Sequence, residues 1–374
     1  MAGILVNTDS ESLEHALGGL DGVAELRAAL AGHEVWLVGG AVRDLLRGEE
    51  RADLDIVVTE DAAELASRLG EPESAQETFN TATVRLRDVQ VDVAGARRET
   101  YAHPGALPEV EPASLSEDLA RRDFTVNAMA IPLHGPAELI DPSRGLTDLD
   151  AGLLRVLHPN SFRDDPTRAL RAARYAARLD MGVEAVTLAL LEATDLRLVS
   201  ADRVRAEIRR IVAEEAAPDA LMLLAGWGLA GIDAAAPVRL RATRELLADP
   251  DWAEVADLGE SSLAAAIPPP ASAAIVETLT FATPDRPSAG VTLLAGAEPT
   301  ELVAARIAGA EWLDGWARAW RKVSLEISGT DLMDAGVPQG PAIGAGLQAA
   351  FWSKLDGEAA GHDDEMRIAL AAAT

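Results

Sequence analysis

Short apolar runs separated by turn residues dominate the first 150 residues of the chain. Four of these runs have the length and alternation of strands: 34–38, 54–58, 83–87 and 90–94. The last two runs are split by Asp88 and predict a hairpin. Helical spacing predicts helices over 11–31, from Gly39 to Leu46, and over 60–70. This part of the chain is therefore expected to be a mixed domain around a small, largely antiparallel sheet.

The pattern changes after Pro159, where Ala, Leu and Arg repeat at helical spacing and strand signals are rare. Two proline-containing stretches, 264–274 and 282–290, interrupt this periodicity and are expected to be loops. The sequence thus predicts an α+β fold, in which an N-terminal part with a small mixed sheet precedes an all-α remainder.

Composition limits the kinds of site that the chain can contain. Its 374 residues, 48% of them hydrophobic, are enough for two or three domains. The absence of cysteine excludes disulfides and thiolate metal sites, and six scattered histidines disfavour a zinc cluster. Any metal ion is therefore expected to have oxygen ligands.

The N-terminus resembles neither a signal peptide nor a membrane span, so we expect a cytoplasmic protein without a membrane partner.

The formal net charge of -28 argues against a polyanionic partner, but the positive charge is unevenly distributed. Lysine occurs only at Lys322 and Lys354, and many arginines fall between Arg121 and Arg210. Arginine suits phosphate groups and planar base edges. The alternative is a genome-wide preference for Arg over Lys in an acidic, salt-adapted proteome, and the two explanations are evenly balanced.

Asp53 and Asp55 stand at the start of the strand predicted at 54–58. Because strand side chains alternate between faces, these two carboxylates leave the same face of the sheet. They repel each other unless cations lie between them, and a pair of Mg²⁺ ions would also promote displacement at phosphorus. The alternative is a solvated strand end, which is the commoner setting for such a pair taken alone.

Gly39 and Gly40 lie where a phosphate group would approach backbone N–H groups at the start of a helix. The alternative is an ordinary tight turn, and the dinucleotide and P-loop fingerprints are absent from the sequence. The combination of these glycines with the two aspartates is more informative than either feature alone.

Five segments in a fixed order resemble the motifs of one family. The first joins "GGAVRD" at 39–44 to "DLD" at 53–55. The others are "RRDFTVNAMA" (121–130), "IDPSRGLTDLDAGLLRVL" (140–157), "DDPTRALRAARYAARL" (164–179) and "ADRVRAEIRRI" (201–211). Together they resemble the class II (bacterial-type) tRNA nucleotidyltransferase and poly(A) polymerase family.

This resemblance implies roles for individual residues. Asp53 and Asp55 would be the catalytic residues and would hold Mg²⁺. Asp92 is either a third carboxylate beside the metal ions or, as we expect, an exposed strand residue. The nucleotide-binding residues implied by the resemblance are Gly39, Gly40, Arg43, Arg122, Asp123, Asn127, Asp165, Arg168, Arg171 and Arg174.

The segment 164–179 also has a physical interpretation of its own. Asp165, Arg168, Arg171 and Arg174 recur at three-residue steps, so that they share one face of a helix whose first turn suits Pro166. A carboxylate accepts from the exocyclic amine of C or A, whereas U and G present an acceptor there. Asp165 with Arg168 would thus select C and A without a template, as the resemblance also implies. The alternative is a surface helix with ion pairs along it.

The resemblance implies a nucleotidyltransferase (polymerase-beta-like) head over 1–157, a nucleotide-selecting helical neck over 158–218, and an RNA-binding body and tail over 219–374. The implied activity is addition of CMP and AMP to the 3′ end of tRNA from CTP and ATP. Addition of A alone, poly(A) synthesis and an inactive RNA-binding relative remain alternatives, and the oligomeric state is open.

Residues 99–120 are short of periodicity and are expected to be a mobile loop. In the family, enzymes that stop after CC tend to have this region shortened, so its full length here favours CCA or terminal A addition.

Overall fold

The computed structural model describes residues 6–49, 53–268 and 273–373. Within these ranges the strands are β1 (Val35–Val38), β2 (Asp53–Val58), β3 (Pro72–Gln76), β4 (Thr81–Leu86), β5 (Val89–Gly95), β6 (Arg97–Thr100), β7 (Glu109–Pro112), β8 (Ala130–Pro132), β9 (Leu153–Leu154) and β10 (Gly182–Val183).

The helices in the described ranges begin with α1 (Ser10–Gly18), α2 (Val23–Ala29), α3 (Gly40–Leu46), α4 (Ala62–Leu69), α5 (Leu115–Ala120), α6 (Gly145–Asp150), α7 (Ser161–Asp164), α8 (Thr167–Leu179), α9 (Ala185–Glu192), α10 (Ala201–Ala213) and α11 (Ala217–Gly226). They continue with α12 (Ala236–Leu246), α13 (Pro250–Ala253), α14 (Leu258–Ala266), α15 (Ala273–Phe281), α16 (Pro287–Leu293), α17 (Pro299–Ala308), α18 (Leu313–Arg318), α19 (Gly329–Asp334), α20 (Pro341–Leu355) and α21 (Gly361–Ala372).

A six-stranded sheet with the order β3-β4-β5-β2-β1-β8 forms the centre of the N-terminal part. Strands β2 and β5 are parallel, and the other neighbouring pairs of this sheet are antiparallel. The predicted hairpin is formed by β4 and β5, with Val84 opposite Val91. The α+β fold and the largely antiparallel character of the sheet are therefore confirmed.

The alternation along β5 decides which side chains face the core. Val89, Val91 and Val93 are buried, whereas Asp92 points to the opposite face. Strand β2 runs beside β5 with Asp55 opposite Asp92, so both acids leave the sheet on the same side. The apolar face packs into the core, and the polar face of this strand pair remains available for chemistry.

Helix α5 is held against the sheet by a small apolar cluster. Leu119 from α5 is fully buried and packs with Val38, Val57 and Ala130 from strands β1, β2 and β8. Burying a leucine side chain contributes about 1.5–3 kcal/mol. This packing fixes the end of α5, and therefore the arginines that directly follow it, beside the polar face of the sheet.

The predicted loop over 99–120 is confirmed for residues 101–108, which form neither helix nor strand, and is wrong for β6, β7 and α5 on either side. Strands β6 and β7 pair as an antiparallel ribbon, and α5 begins with a capping box formed by Ser114 and Glu117. The ribbon has no fully buried face, so the apolar alternation that normally indicates a strand is missing. Its order comes from backbone pairing and from cross-strand ion pairs such as Arg98 with Glu111.

The remainder of the chain is mostly helical, as predicted, and the chain divides into two compact units. The first unit comprises residues 1–207 and 223–230, and the second comprises 208–222 and 231–374. In the second unit, a core surrounds Trp252, whose indole N–H donates to Asp314 at 3.0 Å.

The two predicted proline-containing loops have different outcomes. In the stretch 264–274, residues 269–272 lie outside the described residues, and helices α14 and α15 flank them. In the stretch 282–290 the loop is shorter than predicted, because α16 already begins at Pro287, a favourable first helical position. No described helix is both long enough and apolar enough to cross a membrane.

We expect Leu37→Ala to lower the free energy of unfolding of the first unit by about 2–5 kcal/mol, because truncation of a core leucine leaves a cavity. Leu37 is fully buried on β1 between β2 and β8. Urea titration followed by circular dichroism measures the change. Leu107→Ala is the matched control, since Leu107 is 68% exposed, and it should change stability by less than about 0.5 kcal/mol. Equal losses in both variants would contradict this assignment of the core.

Candidate functional site

A cavity of about 700 Å³ opens on the polar face of the sheet within the first unit. Its walls come from the β1–α3 turn, β2, β4, β5, the ribbon of β6 and β7, the segment after α5, helix α8 and the middle of α10. Nine of the residues predicted from the sequence line it: Gly39, Gly40, Asp55, Arg122, Asp123, Asn127, Asp165, Arg168 and Arg171. Three predicted residues are not among the described residues that line the cavity: Arg43, Asp53 and Arg174.

The carboxylates beside this cavity are Asp55 and Asp92, which lie opposite each other on the parallel strands β2 and β5. Asp92 is half-buried and accepts hydrogen bonds from Thr83 Oγ1 at 2.7 Å and from Gln90 Nε2 at 3.2 Å. The expectation that Asp92 is an exposed strand residue is therefore wrong. Asp53 is exposed at the start of β2, opposite Gln90.

The donor set at this edge of the cavity suits a hard cation. Mg²⁺ is commonly held by one or two carboxylates and completes its coordination with water and substrate phosphates. In the described residues, no group of three or more Asp, Glu or His side chains is arranged to hold a metal ion by itself. The pair formed by Asp55 and Asp92 therefore fits a metal ion that is shared with a phosphate-containing substrate.

Gly39 allows an arginine to approach the backbone. Its φ is +63°, and a Cβ at this position would lie 2.6 Å from Nη1 of Arg122. The Gly39 N–H donates to the carbonyl of Met129 at 3.1 Å. The close approach of Arg122 thus explains why the first glycine is needed here, while Gly40 lines the cavity at the start of α3.

Arg43 is 1% exposed and lies behind the cavity wall. Its Nε donates to Asp44 at 2.7 Å, and its Nη1 donates to the side-chain oxygen of Asn127. Asn127 in turn lines the cavity. Arg43 therefore contacts a cavity residue rather than the cavity itself.

Asp118, at the end of α5, anchors the two arginines that follow the helix. Its carboxylate is fully buried and accepts from Arg121 Nη2 at 2.6 Å and from Arg122 Nη2 at 2.9 Å. Burial alone would raise the pKa of Asp118, but the two guanidinium groups outweigh it and the pKa is lowered. Both arginines line the cavity, so the buried carboxylate fixes where their positive charges lie.

Asp123 forms a second anchor, for Arg171. Its Oδ2 accepts from Arg171 Nε at 2.8 Å and Nη2 at 2.6 Å, and its Oδ1 accepts from Asn127 Nδ2 at 3.0 Å. Burial would raise the pKa of Asp123, but Arg171 and Asn127 lower it to about 2. The same ion pair overcomes the effect of burial on Arg171 and raises its pKa.

Helix α8 presents its predicted polar face to the cavity, and Pro166 directly precedes it as expected. Asp165 lies immediately before the helix and lines the cavity. Arg168 is 6% exposed; its Nη1 donates to Ser161 Oγ and its Nη2 to the carbonyl of Arg121, both at 2.7 Å. The structure therefore places Asp165 and Arg168 together, in the same cavity as Asp55.

Arg174, the last residue predicted on this face, contacts an aromatic ring instead of the cavity. Its guanidinium lies 4.7 Å from the ring centroid of Tyr175, and that of Arg171 lies 5.4 Å away. Contacts of this kind are favourable because the ring face is electronegative. Tyr175 lines the cavity and thus links Arg174 to it indirectly.

Sequence reasoning missed the cavity residues on the ribbon. Glu99 accepts from Arg97, from Arg121 and from the hydroxyl of Tyr101, and all four residues line the cavity. Arg97 and Glu99 gave no signal because the ribbon lacks apolar alternation, and Tyr101 directly follows β6. Arg121 belongs to the motif at 121–130 but was not predicted as a site residue. Glu207 was also missed, although it belongs to the segment 201–211 that resembles a family motif.

We expect Asp123→Asn to lower the free energy of unfolding by about 2 kcal/mol near neutral pH. The pKa of Asp123 is lowered from 3.8 to about 2 on folding, so its contribution is complete above pH 3.8 and is lost as pH falls towards 2. The difference between wild type and variant should therefore narrow over this interval in urea titrations.

The matched control for this titration is Asp363→Asn, an exposed residue in the first turn of α21. It should change stability by less than about 0.5 kcal/mol at every pH. If the difference in the free energy of unfolding between wild type and Asp123→Asn stayed constant down to pH 2, the result would contradict the ion pair with Arg171.

Comparison with known proteins matches part of the sequence to a family. Residues 35–155 match the Poly A polymerase head domain family. The A-adding tRNA nucleotidyltransferase of Halalkalibacterium halodurans is 45% identical over 174 residues, which cover 45% of this chain and 41% of that protein. The CC-adding tRNA nucleotidyltransferase of Deinococcus radiodurans is 32% identical over 352 residues, which cover 91% of this chain and 89% of that protein.

The fold has a similarly extensive match. A solved complex of a CCA-adding enzyme with CTP superposes with a TM-score of 0.74 at 25% identity, covering 96% of this chain and 98% of that one. The chain spans less than half the length of its A-adding relative from Halalkalibacterium halodurans but most of the length of the CC-adding relative. With these matches, and with residues from four of the five motifs lining one cavity, the chain belongs to the tRNA nucleotidyltransferase and poly(A) polymerase family.

Proposed function

We propose that this chain adds CMP and AMP to the 3′ end of tRNA without a template, using CTP and ATP and releasing pyrophosphate. The observation that carries this proposal is the single cavity that contains Asp55 together with Asp165 and Arg168. The first residue suits chemistry at phosphate, and the other two suit recognition of a base edge. Similarity to tRNA nucleotidyltransferases and to a CCA-adding enzyme solved with CTP supports the choice of partners.

The family generally uses divalent metal ions, and in this proposal the ion is Mg²⁺, held by Asp53 and Asp55. The two residues share one face of β2, and Asp92 stands opposite Asp55 on the neighbouring strand β5. When bound, Mg²⁺ neutralises phosphate charge and makes a coordinated hydroxyl more acidic. The carboxylates orient this chemistry towards the cavity, because Asp55 and Asp92 both line it.

In this proposal the triphosphate lies among the arginines that line the cavity. Arg122 and Arg171 are two of these arginines, and Asp118 and Asp123 hold their guanidinium groups in place. Arginine is suited to phosphate oxygens because its donors form a planar fork. Prearranged positive charge stabilises the charge that develops during phosphoryl transfer without further reorganisation.

Base selection belongs to Asp165 and Arg168 in this proposal. An ionised carboxylate only accepts hydrogen bonds, so it pairs with the exocyclic amine of C or A and opposes the carbonyl of U or G. A guanidinium donates to the ring nitrogen or carbonyl acceptors on the same base edge. One well-placed pair of this kind contributes about 1–3 kcal/mol of discrimination.

The reaction is a displacement at the α-phosphorus of the incoming nucleotide. The terminal 3′-hydroxyl of the RNA attacks this phosphorus and loses its proton, a new phosphodiester bond forms, and the bond to the β-phosphate breaks. Pyrophosphate is the leaving group. The cavity contributes chiefly by holding both reactants in line and by stabilising the transferred charge.

The proposed division of labour follows the expected domains. Residues 1–157 carry out transfer, 158–218 select the nucleotide, and 219–374 contact RNA. A second candidate is addition of AMP alone, which is favoured by the 45% identity to an A-adding enzyme. A CC-adding relative matches most of the chain, so incorporation of CMP from CTP has to be tested separately from incorporation of AMP.

We expect Asp55→Ala to lower nucleotide incorporation by about 10²–10³-fold or more, because it removes a carboxylate from the centre of the phosphate chemistry. Asp53→Ala should have an effect of the same order. Steady-state incorporation of labelled CTP and ATP into tRNA measures both. Asp88→Ala, in the turn between β4 and β5, is the control and should retain wild-type rates. Near-normal rates in Asp55→Ala would rule out this mechanism.

We expect three tRNA substrates, each offered with one labelled nucleotide, to separate the candidate activities. If the protein adds CCA, tRNA ending before CCA and after the first C accepts only CTP, and tRNA ending after CC accepts only ATP. An enzyme that adds AMP alone labels only the last substrate. Incorporation of AMP into unrelated RNA indicates poly(A) synthesis, and RNA binding without any incorporation contradicts an enzymatic role.

A further inference from the structure

The two carboxylate oxygens of Asp165 differ in how many hydrogen bonds they accept. Oδ1 accepts three hydrogen bonds: from the N–H of Thr167 at 3.0 Å, from Thr167 Oγ1 at 2.7 Å and from Arg203 Nη2 at 2.9 Å. Oδ2 accepts no hydrogen bond from the part of the chain that the structure describes. Asp165 lines the cavity. One oxygen is therefore committed to the protein, and the other remains available to a ligand.

Arg203 is the long-range partner in this arrangement. It lies on α10, 38 residues after Asp165, and its side chain is not among the described residues that line the cavity. The two Thr167 bonds are local, because Thr167 follows Asp165 by only two positions. Arg203 is thus the contact that ties the orientation of Asp165 to a separate helix.

The second branch of Arg203 is fixed by the polypeptide backbone. Its Nη1 donates to the carbonyl of Gly105 at 3.0 Å, while Nη2 donates to Asp165. Because a guanidinium is rigid and planar, binding at both branches determines its orientation. The position of Arg203 is therefore set by Gly105 as well as by its own helix.

Gly105 is itself tightly placed in the turn between β6 and β7. Its φ is +74°, and a Cβ there would lie 2.4 Å from the carbonyl oxygen of Leu198. Its N–H donates to the carbonyl of Arg163 at 3.1 Å. A glycine is required by this close approach, and the approach keeps the Gly105 carbonyl in place for Arg203.

We infer that Arg203 is a positioning residue for nucleotide choice: it holds Oδ1 of Asp165 so that Oδ2 faces the exocyclic amine of C or A. This inference rests on the proposed function, in which Asp165 contacts the base. Arg203 does not contact the nucleotide itself and acts only through Asp165.

The physical consequence concerns discrimination rather than general affinity. Without Arg203, Oδ1 of Asp165 keeps only the two bonds from Thr167, so the carboxylate can turn over a wider range of angles and its pairing with an amine becomes weaker. The repulsion between Asp165 and the carbonyl of U or G also weakens, because the carboxylate oxygen is no longer held opposite that carbonyl. Arg168 has separate partners, Ser161 and the carbonyl of Arg121, so its orientation does not depend on Arg203.

We expect Arg203→Met to lower the preference for CTP over UTP, and for ATP over GTP, by about tenfold. The measurement is kcat/KM for each nucleotide on tRNA ending before CCA and after CC. Arg203→Lys should restore part of the preference, because an ammonium group still donates to Asp165 but lacks the planar fork. A loss of kcat/KM by the same factor for all four nucleotides would overturn the inference, since that result indicates a merely structural role.

A double variant tests whether Arg203 acts through Asp165. In an Asp165→Ala background, Arg203→Met should change the nucleotide preference no further. An additional loss in the double variant would overturn the inference. Arg197→Met is the matched control, because the side chain of Arg197 is 91% exposed and pairs only locally with Asp195; it should keep the wild-type preference.

The same experiment separates failure of the inference from failure of the proposed function. If the wild type shows no preference for C and A, or if Asp165→Ala retains it, the proposed base selection is wrong. If both behave as expected and Arg203→Met retains the full preference, only the role of Arg203 is wrong. Thermal unfolding of each variant shows whether the fold is intact.

Discussion

Pairing of buried carboxylates with arginines is the constraint on which this cavity depends. Asp118 is fully buried and Asp123 nearly so, and each is stable as a charge only because guanidinium groups satisfy it. Removing one partner from such a pair leaves a charge without compensation, which costs several kcal/mol. The arginines on the cavity wall are therefore not free to swing, and their positions are established before any ligand arrives.

The same constraint reconciles an acidic chain with the anionic substrate that we propose for it. A net charge of -28 opposes association at long range, but salt screens exposed charges beyond about 8–10 Å. Arg122 and Arg171 both line the same cavity. Local arrangement therefore outweighs the overall sum, and a phosphate group is attracted once it reaches the cavity.

Much of the fold and part of the site followed from sequence patterns, and the failures have physical causes. Alternation predicted the β4–β5 hairpin correctly because one face of each strand is buried. It missed the ribbon of β6 and β7, which has no fully buried face and depends on backbone pairing and ion pairs. It also assigned Asp92 to solvent, because the neighbour of a strand cannot be identified from its own sequence.

Local sequence by itself determined four strands of the central sheet (β1, β2, β4 and β5), the polar face of α8 and the combination of aspartate and arginine that suits nucleotidyl transfer. These features are visible in the types and spacing of residues a few positions apart, which sequence periodicity reports directly. Only the tertiary structure decided that Asp55 faces Asp92, that Arg43 lies behind the wall, and that Arg203 reaches Asp165 from another helix. Those contacts join segments distant in sequence, and they exist only because strand pairing and core packing bring the segments together.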